Sequence, residues 1–137
     1  MQLKPSVFRY LAVCLLLAAC ARTEGLKVGD AVWAEWTPNL WYHGALDSIC
    51  DRGFKVRFDD QDEKCNSPEQ ILRDFAPAQQ EVRVGMTLLA KSADGPCYMG
   101  QVEALRGLRY LIRYYNGQEA ELSVDDLRLP PVKTVSK

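Results

Sequence analysis

Val28-Gly29-Asp30-Ala31-Val32-Trp33-Ala34 and Val84-Gly85-Met86-Thr87-Leu88-Leu89-Ala90 stand 56 residues apart, and the register between them holds for the rest of both segments. Tyr42 falls on Tyr98, Gly44 on Gly100, Arg57 on Arg113, Glu63 on Glu119 and Ser67 on Ser123. Similar aliphatic or aromatic pairs fill the gaps: Leu46 with Val102, Val56 with Ile112, Phe58 with Tyr114, and Ile71 with Leu127. No gap is needed over about forty-five positions, a run that chance rarely produces, so the chain carries an internal repeat.

Each copy reads as all-β, from alternation, β-branched and aromatic content, and turn residues between the runs. Copy one predicts strands over Ala31–Trp36, Trp41–Ile49, Phe54–Phe58, Glu63–Asn66 and Ile71–Arg73. Copy two predicts Thr87–Lys91, Tyr98–Leu105, Arg109–Tyr114, Glu119–Ser123 and Leu127–Leu129, with Asn116-Gly117 as a hairpin turn. Pro68-Glu69-Gln70 and Val124-Asp125-Asp126 each fit a single 3₁₀ turn. Five short strands in about 50 residues suit a small barrel. The expected cores are Val32, Ala34, Leu46, Ile49, Val56 and Ile71 in one copy, and Leu88, Ala90, Val102, Leu105, Ile112 and Leu127 in the other. Gly44 and Gly100 sit mid-strand, where glycine marks a bend or close backbone approach. Domains this small are marginal alone, so contact between the copies is expected to add stability.

Upstream of the repeat, Lys4 and Arg9 precede the uncharged run Leu11–Ala19, which ends at Cys20. A positive start, a short apolar run and small residues before a cut read as a secretory signal peptide. Leu17-Ala18-Ala19-Cys20 resembles the lipobox of bacterial lipoproteins, which implies cleavage before Cys20 and acylation of that residue. Several acyl chains on one residue would hold a domain firmly at a membrane. Ala21 rather than Asp after the cysteine implies, by the same resemblance, the outer membrane (periplasmic face) of a Gram-negative envelope. Removing residues 1–19 leaves 118 residues with 15 basic and 18 acidic side chains, a net charge of -3. The expected layout is a signal peptide (1–19), lipidated cysteine and tether (20–25), first module (26–75), linker (76–81), second module (82–130) and tail (131–137).

The first copy resembles a Tudor domain of the SH3-like barrel group. The resemblance rests on Val28-Gly29-Asp30-Ala31-Val32-Trp33-Ala34-Glu35-Trp36, on Trp41-Tyr42-His43-Gly44-Ala45-Leu46, on Val56-Arg57-Phe58-Asp59-Asp60 and on Ile71. These match the family's V-G-x-x-V-x-A-x-W, W-Y-x-A-x-V and V-x-F-D-D-G segments and its final aliphatic. The second copy matches more loosely. The fold so implied is two tandem five-stranded Tudor-like barrels. In that family, aromatics at one end of the barrel cage methylated lysine or arginine through cation–π attraction. Carried over by position, the groove is Trp36, Tyr42 and Phe58, with Asp59 and Asp60 contributing charge. The position of a frequent fourth aromatic is near Gln61, so the cage is incomplete. In copy two Ser92 replaces the tryptophan and a weaker groove remains at Tyr98, Tyr114 and Tyr115.

Methylated histone tails do not reach a bacterial envelope, and fold does not imply function. The expected role is therefore a membrane-anchored, non-catalytic binding module for a protein, peptide or cationic ligand of the envelope. A structural lipoprotein with its aromatics packed at an interface is the alternative, and a small enzyme comes third. Copy one, Leu26–Asp74, carries six basic and ten acidic residues, which favours a cationic ligand there. Lys and Arg are scattered rather than striped, which gives nucleic-acid binding no support. Asp59-Asp60-Gln61-Asp62-Glu63 lacks the glycine of an EF-hand loop, and no paired C-x₂-C spacing suggests zinc. No cofactor, metal or catalytic residue is expected. Cys50 and Cys65 fall on strands about two spacings, roughly 10 Å, apart, too far to bridge unless strong twist intervenes. Cys97, at the repeat position of Trp41, is expected to pack as an apolar residue.

Overall fold

The computed structural model describes residues 25–131; the expected signal peptide (1–19), the expected lipidated Cys20 and all but the first residue of the expected tail (131–137) lie outside the described residues. Ten antiparallel strands appear in two matching sets of five. The first set is β1 (Ala31–Thr37), β2 (Leu40–Cys50), β3 (Gly53–Phe58), β4 (Glu63–Asn66) and β5 (Ile71–Arg73). The second is β6 (Thr87–Lys91), β7 (Cys97–Arg106), β8 (Arg109–Tyr114), β9 (Glu119–Leu122) and β10 (Leu127–Arg128). Single 3₁₀ turns occupy Pro68–Gln70 and Val124–Asp126 as expected, and a third, Gln79–Glu81, lies between the sets.

In the first set β1 pairs with β2 and β5, β2 with β3, and β3 with β4; the second set repeats this pattern. Neither ladder closes through backbone bonds among the described residues, so the observed unit is an open antiparallel sheet rather than a sealed barrel. In copy one, side chains tie β4 to β1 instead. Asn66 on β4 donates through Nδ2 to the Glu35 carbonyl at 2.8 Å, and Lys64 donates through Nζ to the Trp36 carbonyl at 2.7 Å.

Each copy has its own apolar cluster. Val32, Ala34, Leu46, Val56, Phe58 and Ile71 form one. Leu88, Ala90, Val102, Ile112 and Leu127 form the other, with Tyr110 and Tyr114. Two expected core residues are not there: Ile49 is 78% exposed and Leu105 55% exposed. Each stands three residues beyond the last buried position of its strand, Leu46 or Val102, and one residue from the strand's end. Strict alternation from Leu46 and Val102 already places them on the outer face, so their apolar character alone does not put them in the core. A register break lies between Leu46 and Ser48 and again between Val102 and Ala104.

A third cluster joins the copies: Trp33, Trp41, Leu72, Leu89 and Cys97, all buried. It contains two pairs of repeat mates, Trp33 with Leu89 and Trp41 with Cys97. Trp33 and Leu89 lie between inward-facing neighbours and point to the opposite face of the sheet. β2 and β7 pair antiparallel across the seam, with Leu40 opposite Tyr98 and Trp41 opposite Cys97. Pro96, the next position, has no N–H to extend the ladder. Cys97 thus packs as an apolar residue, as its repeat position implied.

Cys50 and Cys65 form a disulfide with Cα atoms 6.1 Å apart, contrary to the flat-sheet estimate. Cys50 ends β2 opposite Gly53, while Cys65 lies opposite Lys55 on β3. The β2 bulge just upstream bends and twists this end of the sheet, bringing β2 and β4 together across β3.

Candidate functional site

Trp36 comes from the end of β1, Tyr42 from β2 and Phe58 from the end of β3, where the three strands meet a tight turn. Phe58 is buried at 3% exposure and forms the floor. Trp36 and Tyr42 stand over it, 36% and 37% exposed. Both meet the Phe58 ring edge-to-face, at centroid distances of 5.4 Å and 6.4 Å. This is the favoured geometry for aromatic quadrupoles, and it leaves ring faces free for a ligand. The pocket so formed is small, about 100 Å³, and its remaining walls are Asp60 and Asp62.

The turn from β3 to β4 sets those acids. The Phe58 N–H donates to the Asp62 carbonyl at 2.8 Å, and Gln61 adopts a left-handed conformation with φ 78°. The Asp62 N–H donates to the Asp60 carboxylate at 3.0 Å. Asp60 and Asp62, two apart, face the pocket, and among the described residues neither is paired with a cation. Asp59 faces elsewhere: its carboxylate meets His43 Nδ1 at 2.9 Å. The expected grouping of Asp59 with Asp60 is thus replaced by Asp60 with Asp62. The signal for Asp62 lay in its i, i+2 relation to Asp60 within the acidic run. Lys64 lies 5.9 Å from the Trp36 ring centroid, so one face of the indole already has a cation nearby. Glu63 is not part of the pocket; hydrogen bonds from Lys55 and Arg57 hold its carboxyl below the usual range.

Copy two keeps the architecture and changes the chemistry. Ser92, Tyr98, Tyr114, Asn116 and Gln118 line a groove of about 530 Å³ and are the repeat mates of Trp36, Tyr42, Phe58, Asp60 and Asp62. Tyr114 is the buried floor, its hydroxyl donating to the Lys91 carbonyl at 2.7 Å, and burial pushes its ionisation up. Tyr98 meets it edge-to-face at 5.9 Å. Tyr115 touches Tyr98 at 5.9 Å but does not line this groove. Both acids of the first pocket have become neutral amides, although Asp94 and Glu119 stand at the rim.

Catalytic machinery does not assemble around the candidates weighed from sequence. Cys97 is fully buried, and that burial pushes its thiol up to about 12, so it stays protonated. The His43 ring nitrogens face Asp59 and Asp74 rather than Cys97. Among the described residues no group of three or more His, Cys, Asp or Glu side chains could hold a metal ion.

The whole arrangement has solved counterparts. The tandem Agenet domains 3-4 of ADCP1 superpose with a TM-score of 0.53 at 15% identity, over 76% of this chain and 79% of that one. The Arabidopsis thaliana AGDP1 AGD34 structure gives a TM-score of 0.55 at 14% identity, over 94% of this chain and 92% of that one. The fold is therefore that of tandem Agenet, Tudor-like domains, all-β and antiparallel. No protein-family model and no curated protein sequence matches the chain.

Proposed function

We propose that this chain is a membrane-anchored, non-catalytic binding lipoprotein of the bacterial envelope. Its mature part would be two Tudor-like modules, residues 26–75 and 82–130, joined by a linker at 76–81 and tethered through acylated Cys20. The reading of copy one as a receptor for a cationic group or peptide is carried by one observation. Trp36 and Tyr42 stand half-open over buried Phe58, beside two carboxylates with no cation of their own among the described residues. A methylated ammonium gains cation–π attraction there and loses little hydration on entering. The structural alternative needs these rings covered at the seam, yet the seam is built from Trp33, Trp41, Leu72, Leu89 and Cys97 instead. Tandem Agenet neighbours are consistent with a peptide-binding module.

Titration of a trimethyl-lysine peptide and its unmodified counterpart into the full chain tests the groove, with tryptophan fluorescence as readout and Trp36→Ala as control. Equal binding by both protein forms removes the groove from the account. For the anchor, metabolic labelling with a palmitate analogue is expected to mark the native chain and not Cys20→Ser.

A further inference from the structure

A second hollow in copy two differs from the aromatic groove and uses residues of both copies. It measures about 250 Å³ and opens over Gly100, which contributes no side chain to fill it. Asn39, Thr87, Met99, Gln101, Arg113 and Tyr115 surround it, and Tyr114 separates it from the neighbouring groove. Its repeat equivalent in copy one lies over Gly44, and comparing the two isolates what copy two has gained.

In copy one the corresponding wall is the His43–Asp59 pair at 2.9 Å, flanked by Asp47 and Arg57. In copy two those two positions are Met99 and Tyr115. A hydrogen-bonded imidazole and carboxylate have been exchanged for a thioether and a phenol ring. Tyr115 is 56% exposed, and Asp59 at the same point in copy one shows that the fold requires no aromatic there. The polar groups also change character. Asn39, Thr87 and Gln101 are neutral, and no carboxylate lines the hollow. Its one charge, Arg113, is already held by Glu103 at 3.1 Å and Glu119 at 3.6 Å. Asn39 belongs to copy one; its carbonyl accepts the Met99 N–H at 2.9 Å, which fixes it at the rim. The site is therefore complete only in the tandem.

We infer that this hollow binds one neutral, hydroxyl-rich sugar ring, stacked on Tyr115 and hydrogen-bonded by Asn39, Thr87 and Gln101. An exposed aromatic face attracts the weakly positive C–H groups of a pyranose. Amides and a hydroxyl both donate and accept, which matches sugar hydroxyls better than it matches an ion. The volume lies just below the range of about 300–1,000 Å³ that takes drug-sized ligands, enough for a single ring of a longer chain. The absence of a lining carboxylate disfavours the cations that suit the groove of copy one.

The test uses the full chain, isotope-labelled for NMR, with an N-acetylglucosamine tetramer and a glucose tetramer as probes. At least one is expected to shift amide signals at Gly100, Gln101 and Tyr115. Tyr115→Ala should weaken that binding at least tenfold, and Tyr115→Trp should retain it. Trp36→Ala should leave it unchanged, so the outcome is independent of the aromatic groove in copy one. No shift with either sugar at millimolar concentration overturns the proposal. So does sugar binding that survives Tyr115→Ala in a chain whose spectrum shows it folded.

Discussion

Asp74 and Arg128 clasp the two copies together: Arg128 Nη2 and Nε lie 2.8 Å and 2.9 Å from the same Asp74 oxygen. Asp74 follows β5, and Arg128 is on β10. Trp33 Nε1 donates to that oxygen too, at 2.9 Å, and His43 Nε2 lies 3.3 Å from the other. Arg128 is only 6% exposed and spends another nitrogen on the Asp125 and Leu127 carbonyls. Asp74→Ala leaves a buried guanidinium and an indole N–H without their acceptor. The expected loss is about 1–3 kcal/mol of stability, read by thermal or urea unfolding. A wild-type melting curve in that variant would show that the clasp contributes nothing.

The same carboxylate predicts an acid limit. Burial works to raise the Asp74 ionisation, but hydrogen bonds from Trp33 and Arg128, with the charges of Arg128 and His43, outweigh it and hold the carboxyl below its ordinary range. A group depressed on folding stabilises the fold above its unfolded value and loses that contribution as pH falls through its folded value. Stability should therefore decline below about pH 4, and Asp74→Asn should flatten that part of the profile.

Gly44→Ala should destabilise more than Gly100→Ala. A Cβ at Gly44 would stand 2.5 Å from the Arg57 carbonyl oxygen and 2.9 Å from the Phe58 Cα, both backbone atoms that cannot step aside. At Gly100 the nearest atoms are the Arg113 oxygen and the Ile112 Cγ2, both at 2.9 Å. Overpacking of this kind costs about 1–3 kcal/mol, and the Gly44 variant belongs at the upper end. Denaturant midpoints of the two variants measure the order.

The disulfide and the free thiol should separate cleanly. Cys50 and Cys65 close a 15-residue interval, so Cys50→Ser with Cys65→Ser should cost about 3 kcal/mol. Cys97 should resist iodoacetamide in the native protein and react once denaturant is added. Native-state labelling of Cys97, mapped by mass spectrometry, would show that the seam opens readily.

In the pocket of copy one, Asp60→Asn with Asp62→Asn should weaken a trimethylammonium ligand about tenfold without altering the melting temperature by more than a few degrees. Two solvent-facing carboxylates each contribute about 0.7 kcal/mol to a nearby cation. Ligand titration and a thermal melt on the same preparation check both halves. Asp59→Asn should leave ligand affinity nearly unchanged, because Asp59 faces His43.

How far the sequence reveals this molecule differs from residue to residue. The strands were legible because alternation and turn residues act locally, and the offset of 56 supplied the same pattern twice. The exposure of Ile49 and Leu105 was missed, because both are apolar; each stands three residues past the last buried position of its strand, which alternation places on the outer face. The disulfide was misjudged because flat-sheet spacing ignores the bend a bulge creates. Trp36, Tyr42 and Phe58 were found from the resemblance, and they do converge. Asp59 meets His43 rather than the pocket lined by Asp60 and Asp62, a difference between adjacent turn residues that their sequence does not display. The seam was only partly foreseen: Cys97 stood out at the position of Trp41, while Trp33, Leu72 and Leu89 become core only when a second sheet covers their outer face.

The pairing of β2 with β7 acts as a ruler. Trp41 sits opposite its own repeat mate, Cys97, so the two copies are related by a local two-fold turn through that point. Tyr42 and Tyr98, one from each aromatic groove, flank the junction on strands that are bonded to one another. The distance between the grooves is therefore set by sheet geometry, not by the length of the connecting segment. A ligand with two recognition groups at the matching interval meets its second groove at high effective concentration, and one with any other spacing gains nothing from the duplication.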